Sequence, residues 1–253
     1  MSFEDGQIIV GLGLCTFNRP DFLRRAVESV DTLIGDKLSI KVIYDDGSTE
    51  WDDELYQHLS EEKGWMILRN EENHGVAYAK NQLLSQLMAA GCDMLVLMED
   101  DIEVISPSVI DAYATVIAQT GIQHLCFAHH GPKNIGGLIE SDGYIEVWGN
   151  LMGAWSVYTR ECLEATGNFD TEFGNKLDHV HHTYMCALNG FTTPWLQFAD
   201  VRGSDRLLRD QPHAIESSTI GEHDSIKDPA FQHSLKHWAR NYPIPNNLLW
   251  LLR

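Results

Sequence analysis

The run Leu95-Val96-Leu97-Met98 breaks without transition into Glu99-Asp100-Asp101. Consecutive apolar residues with no polar alternation describe a strand covered on both faces. Such strands belong to parallel sheets held between helices. The pattern recurs upstream: Ile8 to Cys15 reads as a buried first strand, Ile40 to Tyr44 as a second, and Met66-Ile67-Leu68 as a short third. Helical spacing separates them. Phe22, Leu23, Ala26, Val27 and Val30 follow Pro20, which suits a first helical position because its missing N–H has no partner there anyway. Ala79, Leu83, Leu84 and Leu87 mark a helix from Val76 to Ala90. Strand and helix therefore alternate over residues 1–105, and the predicted class is α/β, with a mostly parallel sheet flanked by helices.

Open sheets of this kind bind ligands beyond the carboxyl ends of their strands. Each expected end here is polar: Thr16 and Asn18, then Asp45 and Asp46, then Asn73, then Glu99, Asp100 and Asp101. Any one of them alone could be an acidic turn, but residues remote in sequence would gather on one rim. Clustered carboxylates repel one another unless a cation neutralises them. Hard oxygen ligands suit Mg2+ or Mn2+, which use one or two carboxylates and complete their shell with substrate phosphates.

The second half is less regular. Helices are expected over Ser108–Gln119, Thr159–Thr166 and Asp178–Leu188, the last stopped by Gly190. Gln123–Ala128 reads as a strand, His129–Gly143 as loop or hairpin, and Tyr144–Trp148 as an edge or mixed-sheet strand. Val201–Asp228 reads as polar loop.

The formal net charge of −19 disfavours a long nucleic-acid footprint, which needs a basic surface. Arg202, Arg206 and Arg209 are interleaved with Asp205 and Asp210 and read as a solvated mixed-charge loop. Cys15, Cys92, Cys126, Cys162 and Cys186 form no close pair, as in reduced intracellular proteins. No apolar run is long enough to cross a bilayer, and Met1 to Gly6 is acidic, unlike a signal peptide. The expected location is cytoplasmic.

Four segments in order carry a resemblance to a known family. They are Cys15-Thr16-Phe17-Asn18-Arg19-Pro20, Tyr44-Asp45-Asp46-Gly47-Ser48, Asn73 to Asn81 with Gly75, Ala77, Ala79 and Lys80, and Glu99-Asp100-Asp101. Together they resemble the successive motifs of family 2 glycosyltransferases. The resemblance implies an A-type glycosyltransferase fold, a Rossmann-like sheet with a mixed-sheet acceptor half, spanning residues 1–253 as one domain. Residues 1–105 would bind the nucleotide sugar, 106–200 would hold the acceptor and catalytic half, and 201–253 would be loop and tail. The implied activity is transfer of a sugar from a nucleotide diphosphate sugar, most simply a UDP-sugar, to a hydroxyl, with inversion. The acceptor would be a glycan, a lipid-linked sugar, a protein or a modified nucleobase.

The resemblance also implies roles. Thr16, Asn18 and Arg19 would line the nucleotide pocket, and Asp45 would accept the base N–H. Asn73, Gly75 and Lys80 would lie beside the nucleotide and its phosphates. Asp101 would be the principal ligand of Mn2+ or Mg2+, with Glu99 and Asp100 nearer the ribose and sugar. His213 or His223 would supply a further metal ligand. Trp148, Trp155 and Trp195 are candidates to border the acceptor cleft, although core packing is expected of most of them. The tail Trp238–Arg253 is expected to dock on the domain, with dimerisation or membrane contact as alternatives.

The match continues through Gly153-Ala154, Gly167-Asn168-Phe169-Asp170 and Gly190-Phe191. In the family, an acidic segment between the last two supplies the base that deprotonates the acceptor. Here that segment reads Asp178-His179-Val180-His181, which aligns Asp178 with the family's Glu and His179 with its catalytic Asp. Asp178 is the only acid in it and is preferred as base, with His179 the chemically competent alternative. Two other readings stand beside the transferase, the second kept open by this departure. Asp178, His181 and His182 share one helical face at metal-ligand spacing, as in a metal-dependent hydrolase or pyrophosphatase. A non-catalytic nucleotide-sugar-binding protein is the other.

Overall fold

The computed structural model describes residues 8–50, 52–130, 137–149, 152–195, 197–214 and 228–243. In chain order the elements are β1 (Val10–Thr16), α1 (Pro20–Leu33), β2 (Ile40–Asp45), α2 (Asp53–Glu61), β3 (Met66–Arg69), α3 (Val76–Ala89), β4 (Met94–Glu99), β5 (Ile102–Val104) and α4 (Val109–Thr120). They continue as β6 (His124–Cys126), β7 (Leu138–Ser141), β8 (Ile145–Trp148), β9 (Trp155–Thr159), α5 (Arg160–Thr166), α6 (Asp178–Leu188), β10 (Phe198–Val201), β11 (Leu208–Asp210) and α7 (Pro229–Asn241).

The main sheet has the order β3-β2-β1-β4-β9-β6. Its first four strands run parallel, and β9 pairs antiparallel with both β4 and β6. Side-chain alternation splits the interior in two. Leu12 and Leu14 of β1, with Val96 and Met98 of β4, face a large core that includes Leu23, Val27 and Val30 of α1 and Tyr113 of α4. Leu95 and Leu97 face the other side, against Leu83, Leu84 and Leu87 of α3. Coverage of both faces explains why β4 is apolar at every position up to Glu99.

On the α3 side, β1 presents Gly11 and Gly13. A Cβ at Gly13 would lie 2.8 Å from Leu83 Cβ, and one at Gly11 would lie 2.8 Å from Leu87 Cδ2 and 2.5 Å from Cys92 Sγ. The missing side chains let α3 approach the sheet closely, and that approach brings Lys80 to the carboxyl rim.

Local signals explain most boundaries. Pro20 opens α1, Asp52 caps α2 by accepting from Leu55 N, and Thr159 caps α5 by accepting from Cys162 N. Left-handed Gly121 closes α4.

Several segments differ from expectation, among them α2, β5, β10 and α7, which form where the sequence alone predicts no element. Trp155–Thr159 is a core strand, where the sequence pattern predicts only a helix starting at Thr159. Residues 208–210, expected as polar loop, form β11 against β5. Their ladder is made of backbone bonds, and of the β11 side chains Leu208 alone is fully buried, so no apolar period announced it. Arg209 is paired with Glu103 across that ladder, and Arg202 donates to Asp142 O, so these arginines form no open basic patch. Of the expected hairpin over 129–143, β7 pairs with β8, while residues 131–136 lie outside the described residues.

Candidate active site

The ends of β1, β2 and β4 lie side by side, because Thr16 pairs with Asp45 and Cys15 with Glu99 in the sheet register. Asp45 is fully buried; one carboxylate oxygen accepts from Ser48 N at 2.7 Å and the other from the Tyr56 hydroxyl. Burial drives the Tyr56 phenol pKa far up, reinforced by this bond, so it acts as a fixed donor to Asp45. Asn18 adopts a left-handed conformation, and its Oδ1 accepts from Thr49 N and Glu50 N at 2.7 and 3.1 Å. It ties the turn after β1 to the turn after β2.

Asp46 accepts from His74 N and Gly75 N, the latter at 2.7 Å. Burial raises its pKa against the pull of these amides. Asn73 itself is exposed. Gly75 stands at φ 91°, and a Cβ there would lie 3.0 Å from Asn175 Oδ1.

Beyond β4 the chain turns through Asp100 and Asp101, both buried. Thr16 Oγ1 donates to Asp100 at 2.6 Å, and the Arg19 guanidinium contacts both carboxylates, Asp101 at 3.3 Å. Burial pushes the Asp100 carboxyl up to about 7; Arg19 opposes this and neighbouring Asp101 adds to it. Asp101 is also raised, first by burial. Its Oδ1 is buried with no hydrogen-bond partner. An orphaned carboxylate oxygen beside a second carboxylate is a hard anionic donor suited to a divalent cation. Gln211 holds the turn in place: its amide N donates to Asp101 O, its side-chain amide donates to Asp100 O, and its Oε1 accepts from Arg25.

Lys80 is buried beneath this rim, 3.1 Å from Glu99 Oε1 and 3.2 Å from Asp178 Oδ2. Its amine is thus committed to two carboxylates rather than open to a phosphate. Asp178 opens α6 and also lies 3.3 Å from His179 Nδ1.

The proposed histidine face of α6 does not converge. His182 Nε2 donates to Gly167 O at 2.9 Å, and its ring stacks on Phe169 at 4.1 Å. His181 is buried against Phe173 and Tyr242, whereas Asp178 turns to Lys80. Among the described residues no group of three His, Cys, Asp or Glu side chains is arranged to hold a metal.

His213 is exposed on the turn after Gln211, in a groove with Asp21, Phe22 and Arg25. His223 lies outside the described residues, as does the tail beyond residue 243. Trp155 is in the main core, and Trp195 packs with Tyr184 and Trp238, whereas Trp148 is half-buried beside His129. Trp238 of α7 docks on Phe173 and Tyr184, as expected for the start of the tail.

Two supports escaped the sequence: Tyr56 and Gln211 carry no motif. Gly153 belonged to the motif match, and the structure sets the His179 ring directly on it. The Asp45-Asp46 pair did signal Asp46, although not its bonds to the loop before α3.

Residues 12–126 match glycosyl transferase family 2. An uncharacterized glycosyltransferase of Acanthamoeba polyphaga mimivirus is 25% identical over 161 residues, covering 61% of this chain and 60% of the relative. The chain therefore spans less than two thirds of that protein's length. Among solved structures, a mannosyltransferase from Pyrobaculum calidifontis in complex with GDP-Man and Mn2+ aligns at TM-score 0.57 and 18% identity, covering 96% of this chain and 78% of the other. S. aureus TarS 1-349 in complex with UDP-GlcNAc aligns at TM-score 0.61 and 16% identity, covering 95% of this chain and 69% of the other. TarS 1-349 in complex with UDP aligns over 71% of this chain and 55% of the other, at TM-score 0.55 and 15% identity. The chain has the A-type glycosyltransferase fold, and over residues 12–126 it carries the sequence pattern of glycosyl transferase family 2.

Proposed function

We propose that this chain transfers a sugar, with inversion, from a nucleotide diphosphate sugar to a hydroxyl, and that the donor is UDP-linked. The observation that carries this reading is the convergence of Asp45, Thr16, Arg19, Asp100 and Asp101 on one rim, with Asp101 Oδ1 buried and unpaired. The structural relatives that hold UDP-GlcNAc, or GDP-Man with Mn2+, support it.

In this reading Asp45 takes the base N–H, held in position by Ser48 and Tyr56. Asp101, with Asp100 beside it, would hold Mn2+ or Mg2+. When bound, the cation would offset charge developing on the departing nucleoside diphosphate. Arg19 stays beside the same carboxylates as a positioning cation. The described residues include no helix long and apolar enough to cross a membrane.

Calorimetric titration of UDP, GDP and CDP, with and without Mn2+, tests the reading on the native protein and on Asp101→Ala. The expected result is Mn2+-dependent binding of one nucleotide, weakened about 10-fold or more in the variant. Binding of no nucleotide, or binding indifferent to both Mn2+ and Asp101, refutes it.

A further inference from the structure

We infer that His179, oriented by Asp178, is the base that receives the acceptor proton, so that an aspartate–histidine pair stands where a single carboxylate would be expected. The inference rests on the transferase reading above. Asp178 is badly placed to act alone. It is 2% exposed, one of its oxygens lies against Lys80 and the other against His179. Burial alone would raise its pKa; Lys80 and then His179 outweigh that and hold the carboxyl well below the usual carboxylate range. A carboxylate so stabilised is a weak base, and neither oxygen is free to meet a hydroxyl.

His179 has the complementary properties. Its side chain is 27% exposed, with Nδ1 toward Asp178, which leaves Nε2 on the far side of the ring without a partner among the described residues. A carboxylate at Nδ1 favours the tautomer with its proton there and a lone pair on Nε2. The ring is also held from the side. A Cβ on Gly153 would lie 2.6 Å from His179 Cγ, so the imidazole rests directly on the Gly153 backbone. The next residue, Ala154, accepts from Glu99 N at 2.8 Å, which joins this contact to the end of β4 and the carboxylate rim.

Glu99, Lys80, Asp178 and His179 thus form a chain of contacts from donor rim to α6, at 3.1, 3.2 and 3.3 Å. As the acceptor oxygen bonds to the anomeric carbon, its O–H bond breaks and the proton passes to Nε2. The bond from that carbon to the diphosphate oxygen breaks, and its electron pair leaves with the nucleoside diphosphate. Asp178 then faces the imidazolium and stabilises it. Asp178 is a positioning residue, and Lys80 keeps it ionised.

The test combines a tautomer measurement with donor cleavage. Long-range 15N–1H NMR on histidine-labelled protein, with the His179 signal assigned by its loss in His179→Gln, should show the proton on Nδ1 and a bare Nε2. Asp178→Asn should abolish that preference. An Nε2–H tautomer in the native protein overturns the inference. Cleavage of UDP-glucose, UDP-N-acetylglucosamine and GDP-mannose with Mn2+, water serving as acceptor, should fall about 10²–10⁴-fold in His179→Gln. Calorimetric nucleotide affinity should stay unchanged in that variant. Unaltered cleavage with intact nucleotide binding overturns the base assignment and leaves the transferase reading standing. Loss of nucleotide binding in the native protein refutes the reading itself.

Discussion

Replacing Lys80 with methionine keeps the length of the side chain and removes its ammonium from between Glu99 and Asp178. In the native protein, burial would lower the Lys80 pKa, but Asp178 and Glu99 outweigh burial and hold it above the ordinary value. Glu99 keeps 21% side-chain exposure and can turn toward water; Asp178 is 2% exposed and cannot. The cost is therefore set by one buried carboxylate left without its cation, about 3–5 kcal/mol at pH 7. The pH dependence follows from the sign of each shift. Native Asp178 has a depressed folded pKa, so its contribution is present above the unfolded carboxylate value of about 3.9 and is lost as pH falls below it. In Lys80→Met, burial is largely unopposed, and the folded protein takes up a proton before the unfolded chain does. The gap between the two proteins should narrow on acidification, by about 1.4 kcal/mol per pH unit at most. Urea unfolding followed by tryptophan fluorescence at pH 7 and pH 5 measures both quantities. Lys80→Met/Asp178→Leu should recover most of the loss, because a buried ion pair exchanges for apolar side chains at little net cost. A loss below about 1 kcal/mol at pH 7, or a gap equal at both pH values, refutes the placement of Lys80 as the counter-ion of Asp178.

Gly13→Ala puts a methyl group 2.8 Å from Leu83 Cβ and should cost about 1–3 kcal/mol through overpacking of α3 on β1. Thermal unfolding should show a Tm lowered by about 2–10 °C, and an unchanged or higher Tm contradicts the close approach. His181 is buried with both ring nitrogens unpaired, and burial pushes its pKa down to about 4. The unfolded chain protonates first, near pH 6.5, so native stability is lost as pH falls from there toward 4. His181→Phe, which keeps the stack on Phe173, should therefore gain about 2 kcal/mol relative to the native protein between pH 8 and pH 5 in urea unfolding. Parallel pH profiles refute this.

The parallel half of the fold was legible because its strands are covered on both faces. Leu95 to Met98 and Val42 to Tyr44 are apolar runs that two covered faces satisfy, and the polar residue ending each run marked the rim. Thr16, Arg19, Asp45, Asp100 and Asp101 converge there as their strand-end positions implied. The antiparallel half was less legible for a physical reason. β5 and β11 are three-residue strands joined by backbone bonds, with charged Arg209 and Asp210 on one of them. Trp155 to Thr159 did carry β-branched and aromatic residues, but a single run does not reveal that its partners are β4 and β6.

The base illustrates what residue type alone cannot decide. With only the sequence Asp178-His179 in view, the carboxylate is the natural choice, since carboxylates commonly serve as bases and Asp178 is the only acid in its segment. The ranking inverts once Lys80 is placed. Lys80 reaches Asp178 because α3 lies close on β1, and α3 lies close because Gly11 and Gly13 have no side chains. A cation delivered from 98 residues away lowers the basicity of Asp178, and the same ionised carboxylate then favours a bare Nε2 on its neighbour. The functional assignment at α6 thus depends on two glycines in the first strand, a dependence carried wholly by packing and invisible to any motif spanning residues 178–181. It follows that Gly13→Ala, if it shifts α3 outward without unfolding the chain, should also weaken the Nδ1–H preference of His179 in the NMR measurement. A tautomer unaffected by a demonstrated displacement of α3 would break that chain of contacts at Lys80.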